Sequence, residues 1–275
     1  MNKTATIILN RNLPKVTDQL YESLKRHNGD LTDIYVIESG SQKDNLSKYC
    51  SYWANWEESL ESGLRYPRGF NYALQQLMNE GKFSNYDFFF LVCNDSVFEQ
   101  KPVIAPLLEE MQKHTRLGIL SPCSPRWGEQ RLIKETETKY FWYINHIAWF
   151  MRREYIEAVM HKGEAADYMN LLYDGSNFRG YECDIELIIK GYANDWGSAI
   201  TTKVWVKENE ELLKTQYGAM KTDEFHLNRQ KVLAEGKKWL RNKYGFNSRW
   251  TMQMYAKFFY EKFFEYYPEL MPYKI

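Results

Sequence analysis

Residues 87–99, Asp-Phe-Phe-Phe-Leu-Val-Cys-Asn-Asp-Ser-Val-Phe-Glu, limit what this chain can fold into more than any other stretch. Residues 88–92 are an unbroken apolar run rich in strand-favouring side chains. With no polar alternate face, the run reads as a strand buried on both sides. It stops at Asn94-Asp95-Ser96, three oxygen-bearing side chains that cannot continue a core. In open α/β sheets ligands bind just beyond the carboxyl ends of the strands. A small acidic cluster there can hold a divalent cation, and the cation a diphosphate. A polar turn capping a core strand accounts for the same residues, so the decision falls to the rest of the chain.

Residues 5–9 read as a second buried strand, followed by the loop Asn10-Arg11-Asn12-Leu13-Pro14. Val16, Leu20 and Leu24, with Tyr21, mark one face of a helix ending near Asn28-Gly29. Residues 34–37 form another short apolar strand, closed by Glu38-Ser39-Gly40-Ser41. Strand, helix and strand in this span make a βαβ unit, whose strands run parallel. All three strands end in small, polar or acidic residues, which predicts one shared crevice. Phe70, Ala73, Leu74, Leu77 and Met78 then follow a helical stripe. Arg68-Gly69-Phe70-Asn71 is placed at the start of that helix, where free N–H groups favour an anion. Ordinary helix-start chemistry explains Gly69 and Asn71 as well. Further on, the pattern gives a helix around residues 103–111, a strand at 117–120 and a loop over 121–133. Strands at 140–143 and 148–151 and a helix over 153–161 follow, while residues 44–62 show no clear period.

The second informative stretch is residues 174–192, a turn-rich loop feeding a helix with Ile185, Ile188 and Ile189 on its buried face. Glu182, Asp184 and Glu186 crowd the first turn. The helix dipole favours acids there, and beside a crevice they are also candidates for a general base. Residues 199–206 alternate as a strand, and residues 221–244 read as a basic helix. Over residues 250–267, Tyr255, Phe258, Phe259, Phe263 and Tyr266 make one aromatic stripe. Such a stripe docks on the rest of the chain, forms a dimer contact or, ranked below the dimer, attaches to a membrane surface. Its polar face carries both charge signs, unlike the strongly basic face of a membrane-surface helix.

Charge excludes one large class of partner. Lys plus Arg and Asp plus Glu are 36 each, so no net field draws nucleic acid or anionic lipid as a default partner. The four cysteines are widely spaced, without Cys-x-x-Cys, as in a reduced compartment. No apolar run reaches the roughly 20 residues of a membrane span, and the first strand begins too early for a leader. The expected setting is therefore cytoplasmic.

In their order these stretches resemble glycosyltransferase family 2, inverting enzymes of the GT-A fold, over roughly residues 4–245. Ile7-Ile8-Leu9-Asn10-Arg11 looks like the family's first strand and its Asn-Arg. Tyr35-Val36-Ile37-Glu38-Ser39-Gly40-Ser41 looks like the second, with Glu38 where the family usually has an Asp on the nucleoside. Asn94-Asp95-Ser96-Val97 falls on the metal motif, normally Asp-x-Asp or Asn-Asp-Asp, and Cys183-Asp184-Ile185-Glu186-Leu187 on Glu-Asp-x-Asp-Leu. The resemblance implies an α/β fold with a mostly parallel, Rossmann-like central sheet flanked by helices. It implies a GT-A domain over residues 1–220 and a C-terminal helical extension over 221–275. Asn10, Arg11, Glu38, Ser39, Gly69, Asn71, Asn94 and Asp95 would then bind the nucleotide-sugar donor. Asp95, Asn94 and Ser96 would hold a divalent cation, Mn or Mg, and Asp184 would be the base, with Glu182 and Glu186 as alternatives. The leaving group would draw on cations from the Arg126–Arg131 loop or the later basic helix.

The sequence departs from the family at two points. Only one carboxylate remains in the metal motif, and no His stands at residues 204–208, where the family often has a metal contact; His226 is the only later one. The implied acceptor is a glycan or a lipid-linked saccharide. A lipid-linked acceptor would put the protein at the inner face of a membrane, and a homodimer would form through the last helix. A non-catalytic nucleotide-sugar or carbohydrate-binding protein on the same fold is the alternative. A nucleotidyltransferase would need a Gly-rich basic loop that residues 10–14 do not supply.

Overall fold

The computed structural model describes residues 3–275, apart from Trp127, Lys134, Thr136, Glu164 and Ala165. Its first half is a chain of βαβ steps: β1 (Thr4–Asn10), α1 (Pro14–Asn28), β2 (Thr32–Glu38), β3 (Cys50–Trp53), α2 (Glu57–Ser62), α3 (Arg65–Asn79) and β4 (Phe88–Cys93). There follow β5 (Ser96–Phe98), α4 (Ile104–Lys113), β6 (Leu117–Cys123), β7 (Thr138–Tyr140), β8 (Ala148–Arg152) and α5 (Arg153–Val159). The chain closes with α6 (Cys183–Tyr192), β9 (Gly197–Glu208), α7 (Glu210–Thr215), α8 (Phe225–Tyr244) and α9 (Arg249–Tyr266).

One sheet joins the strands in the order β3-β2-β1-β4-β8-β6-β9-β5, with β7 also on β9. The strands from β3 to β4 pair in parallel, as does β6 with β9, while β8 runs antiparallel between β4 and β6. The parallel half therefore sends the carboxyl ends of β1, β2 and β4 to one edge: Asn10 stands opposite Glu38, and Leu9 opposite Cys93. β4 lies near the middle, and its residues 88–92 are all buried, as an apolar run without a polar face requires. Phe88 stacks on Phe150 at 5.3 Å and Phe89 on Phe83 at 4.7 Å. α3 buries Phe70, Ala73, Leu74 and Leu77 on one face.

α3 starts at Arg65, so Gly69 lies inside the helix, beyond its free amides. Gly69 is there for packing: a Cβ would come within 3.1 Å of Leu9 and 3.4 Å of Ser39 Oγ. Asn71 is likewise a structural pin. Its Nδ2 donates to the carbonyls of Tyr168 and Tyr173, and its Oδ1 accepts from the amides of Leu172 and Tyr173. Truncating it would orphan buried backbone groups, each costly to leave unpaired. We expect Asn71→Ala to lose about 2–4 kcal/mol in urea unfolding; a loss within experimental error would show that the 168–173 loop repacks freely.

Three sequence expectations are corrected. The first residues of the expected 121–133 loop continue β6, buried throughout. The expected 140–143 strand is only the end of β7, because Phe141 O accepts from Ser198 Oγ and Tyr192 OH. On α9 the core face is Met252, Ala256, Tyr260, Phe263 and Phe264, whereas Tyr255, Phe258 and Tyr266 are exposed. Aromatic residues occupy both faces of α9, so apolar spacing alone did not fix its orientation. Tyr260, Phe263 and Phe264 belong to the same core as the sheet.

Candidate functional site

A buried polar chain ties the three parallel strand ends together. Asn10 Nδ2 donates to both oxygens of Glu38, at 3.1 and 2.9 Å. Asn10 Oδ1 accepts from Asn94 Nδ2 at 3.0 Å, and the same Asn94 amide reaches Thr17 Oγ1. Glu38 also accepts from the Ser47 amide at 2.7 Å. It is fully buried, and burial raises its pKa. The structure thus brings Asn10, Glu38 and Asn94 together, with Glu38 facing inward as the hub of the 39–47 loop.

Beyond the strand ends lies a cavity of about 570 Å³. Its floor is Leu9, Asn10, Arg11, Ser39, Cys93, Asn94 and Asp95, its side is Arg65, Tyr66 and Arg179, and its roof runs from Met220 to Val232. Asp95 also borders a smaller cavity of about 230 Å³ against α1. Asp95 Oδ1 is buried without a partner, and burial lifts its carboxyl to about 6. Ser96 pairs with Glu208 across β5 and β9, which brings the Glu208 carboxyl into the same cavity. Burial and the charge of Asp95 push Glu208 up to about 7. Two carboxyls so placed suit a divalent cation, whose charge would offset their mutual repulsion. Ser96 instead donates to the carbonyl of Ile147, and Asn94 spends its amide on Asn10 and Thr17. Among the described residues no group of three or more His, Cys, Asp or Glu gathers as a metal cluster.

Arginines supply the opposite sign. Arg11 donates to the carbonyls of Glu61 and Ser62, and packs so closely on Gly63 that a Cβ there would overlap it. Arg65 donates to Thr222 Oγ1 at 2.6 Å. The Nε of each is buried and unpartnered, and burial lowers both guanidinium pKa values to about 10. Arg179 spreads over Asp223, Asn228 and Glu235, fastening the roof. Such a rim offers donors to an anion that the two carboxyls alone would repel.

The second acidic group lies at the start of α6. Tyr66, which lines the cavity, donates to the carbonyl of Gly180 and lies 3.0 Å from Cys183 Sγ. Glu182 and Asp184 flank Cys183; neither they nor Glu186 are among the residues lining the cavity. Burial lifts Asp184 to about 6 and, with the charge of Asp184, lifts Glu182 to about 8. Glu182 has a left-handed backbone, φ +65°, and an unpartnered Oε2. Strain of this kind gathers at functional sites. Glu186 instead meets Lys243 at 2.7 Å and Tyr244 OH, an internal ion pair.

Sequence reading missed Glu208, Arg65 and Arg179. The position searched for a metal-contacting His holds Glu208, an acid at the end of the strand, and that was the available signal. His226 is exposed at the start of α8, outside the cavity lining. Arg126 pairs with Glu210 at 3.1 Å and is not among the cavity residues, whereas Arg229 of α8 is.

The fold is α/β of the GT-A type, a curled central sheet flanked by helices with a helical C-terminal part. Among solved structures the chain is similar to GalNAc-T7 with UDP, GalNAc and Mn²⁺ only distantly: TM-score 0.57 and 10% identity, over 98% of this chain and 58% of that one. It also matches mannosyltransferase PcManGT from Pyrobaculum calidifontis with GDP-Man and Mn²⁺ (0.52, 11%, 87% and 64%) and S. aureus TarS (0.52, 12%, 86% and 43%). The chain thus spans less than two thirds of each of these structures. No protein-family model and no curated protein matches the sequence.

Proposed function

We propose that the protein is an inverting glycosyltransferase that moves a sugar from a nucleoside-diphosphate donor to an acceptor hydroxyl. The observation that carries this reading is the cavity at the strand ends, with the Asp95–Glu208 carboxyl pair on one side and Arg11, Arg65 and Arg179 around it. Two of the similar structures, PcManGT and GalNAc-T7, were solved with a nucleotide sugar or its parts and Mn²⁺, which supports a donor of that class. A divalent cation held by Asp95 and Glu208 would neutralise charge on the leaving diphosphate. Asn10 and Glu38 hold the floor in place, Ser39 and Tyr66 line the donor site, and the arginines bind the diphosphate oxygens.

Asp184 takes the acceptor proton. The acceptor oxygen then bonds to the sugar's anomeric carbon as the carbon–oxygen bond to the diphosphate breaks, so one displacement inverts the centre. The three acids of α6 differ in fitness for this role. Glu186 is tied to Lys243 and Tyr244, and Glu182 at about 8 is mostly protonated near neutrality. Asp184, at about 6, is ionised there and still basic enough to accept a proton.

The test is a screen of nucleotide sugars for thermal stabilisation and for donor hydrolysis, with and without Mn²⁺. Stabilisation and metal-stimulated hydrolysis by one donor are expected. Stabilisation with no turnover in any acceptor mixture would favour the binding-protein alternative.

The raised carboxyls also fix two opposed pH trends. Asp95, Asp184, Glu182 and Glu208 all titrate higher when folded, so the native state binds protons that the unfolded chain releases. Their contribution to stability is present below the ordinary carboxyl range and is lost as pH rises through 6 to 8. The melting temperature of the ligand-free protein should therefore fall from about pH 6 to about pH 8 while transfer rises over the acid side of that range. Melting temperature and rate that climb together would contradict the burial of these acids.

A further inference from the structure

Three exposed apolar side chains, Trp250, Met254 and Phe258, stand one turn apart on the amino-terminal half of α9, at 63%, 65% and 54% exposure. Monomeric proteins seldom leave aromatic residues aligned in this way. The charge along this stretch of the sequence is one-sided. From residue 236 to residue 260 the sequence has six Lys or Arg and no Asp or Glu, in a chain whose net charge is zero. Lys237, Lys238 and Arg241, on the last turns of α8, are exposed. None has an ion pair among those found in the described residues, whereas Lys243 is spent on Asp174 and Glu186. The two helices are joined by residues 245–248 and pack through Trp239, Leu240, Met252 and Ala256.

We propose that this helix pair docks on an anionic phospholipid surface, Trp250, Met254 and Phe258 entering the headgroup boundary and the α8 cations meeting lipid phosphates. A second copy of the chain is the poorer occupant, because a two-fold contact through this face would set the Lys237, Lys238 and Arg241 of one copy against those of the other. Mixed charges elsewhere on α9, Glu261, Lys262 and Glu265, begin only after the stripe has ended. The docking face also adjoins the loop that leads into α6: Arg249, one residue before Trp250, hydrogen-bonds Tyr181 and lies in the field of Glu182.

The experiment is sedimentation of the full chain with vesicles of phosphatidylcholine alone or mixed with phosphatidylglycerol, without donor or acceptor. A failure here therefore leaves the transferase reading standing, and a failure of that reading leaves this one. The protein should sediment with the mixed vesicles only, and less as salt is raised. Trp250→Ser with Phe258→Ser should weaken binding by at least about tenfold. Lys237→Gln and Arg241→Gln should each weaken it about fivefold. Each variant changes exposed residues and should keep the wild-type melting temperature. The proposal is overturned if the full chain stays in solution with both vesicles, or if the aromatic pair can be replaced without loss. It is equally overturned if light scattering shows a dimer that the aromatic variant dissociates, since a second copy would then cover the face.

Discussion

Asp184→Asn is expected to lower acceptor-dependent transfer by a factor on the order of 10²–10⁴, the usual worth of a positioned general base. The exchange keeps size and shape and removes only the proton-accepting charge. Donor affinity should hold, because Asp184 lies outside the donor cavity, behind Tyr66 in the chain of contacts from cavity to α6. Stability should rise, because burial already penalises the ionised form. The acid limb of the pH–rate profile, expected near pH 6 in the wild type, should vanish from the residual rate. A merely structural Asp184 would leave that limb in place. A variant with wild-type transfer would remove Asp184 from the chemistry and return Glu182 to consideration.

The second large effect is at the strand ends. Asp95→Asn should weaken donor binding measured in Mn²⁺ by at least the 10–100-fold that a lost supporting group costs at a metal site. Asp95→Asn should also raise the melting temperature of the ligand-free protein, because a buried oxygen without a partner loses its charge. Glu208→Gln should act in the same two directions, and the pair together should lose no more than a cation-free donor loses in wild type. Chelation decides the matter. If removing divalent ions leaves wild-type donor affinity unchanged, the carboxyl pair does not work through a cation. The arginines then carry the diphosphate alone.

Much of the first half was legible because its strands are buried on both faces. An apolar run such as residues 88–92 has few alternatives, and the polar residues that stop it mark the sheet edge where Asn10, Glu38 and Asn94 do meet. What those residues do locally was less legible. Glu38 and Asn71 carry side chains suited to a ligand, yet Glu38 is consumed by Asn10 and the Ser47 amide and Asn71 by backbone groups about a hundred residues away. Arg65 and Arg179 escaped notice for the reverse reason. Their cavity is closed by residues separated by more than a hundred positions, and no local spacing announces such an encounter. The orientation of α9 was ambiguous because its aromatic residues serve a core on one side and a surface on the other.

The roof of the cavity has a consequence for occupancy. It belongs to the start of α8 and the segment before it, held down by one arginine shared among Asp223, Asn228 and Glu235 and by the Arg65–Thr222 contact. Ion pairs and single hydrogen bonds at a part-exposed edge open far more readily than a sheet. If the roof opens in solution, the complete binding surface exists only in the fraction of molecules whose roof is closed. Observed affinity is the affinity of that fraction scaled by its population. Every change that loosens the latch, however far from the reacting atoms, draws on the same reserve.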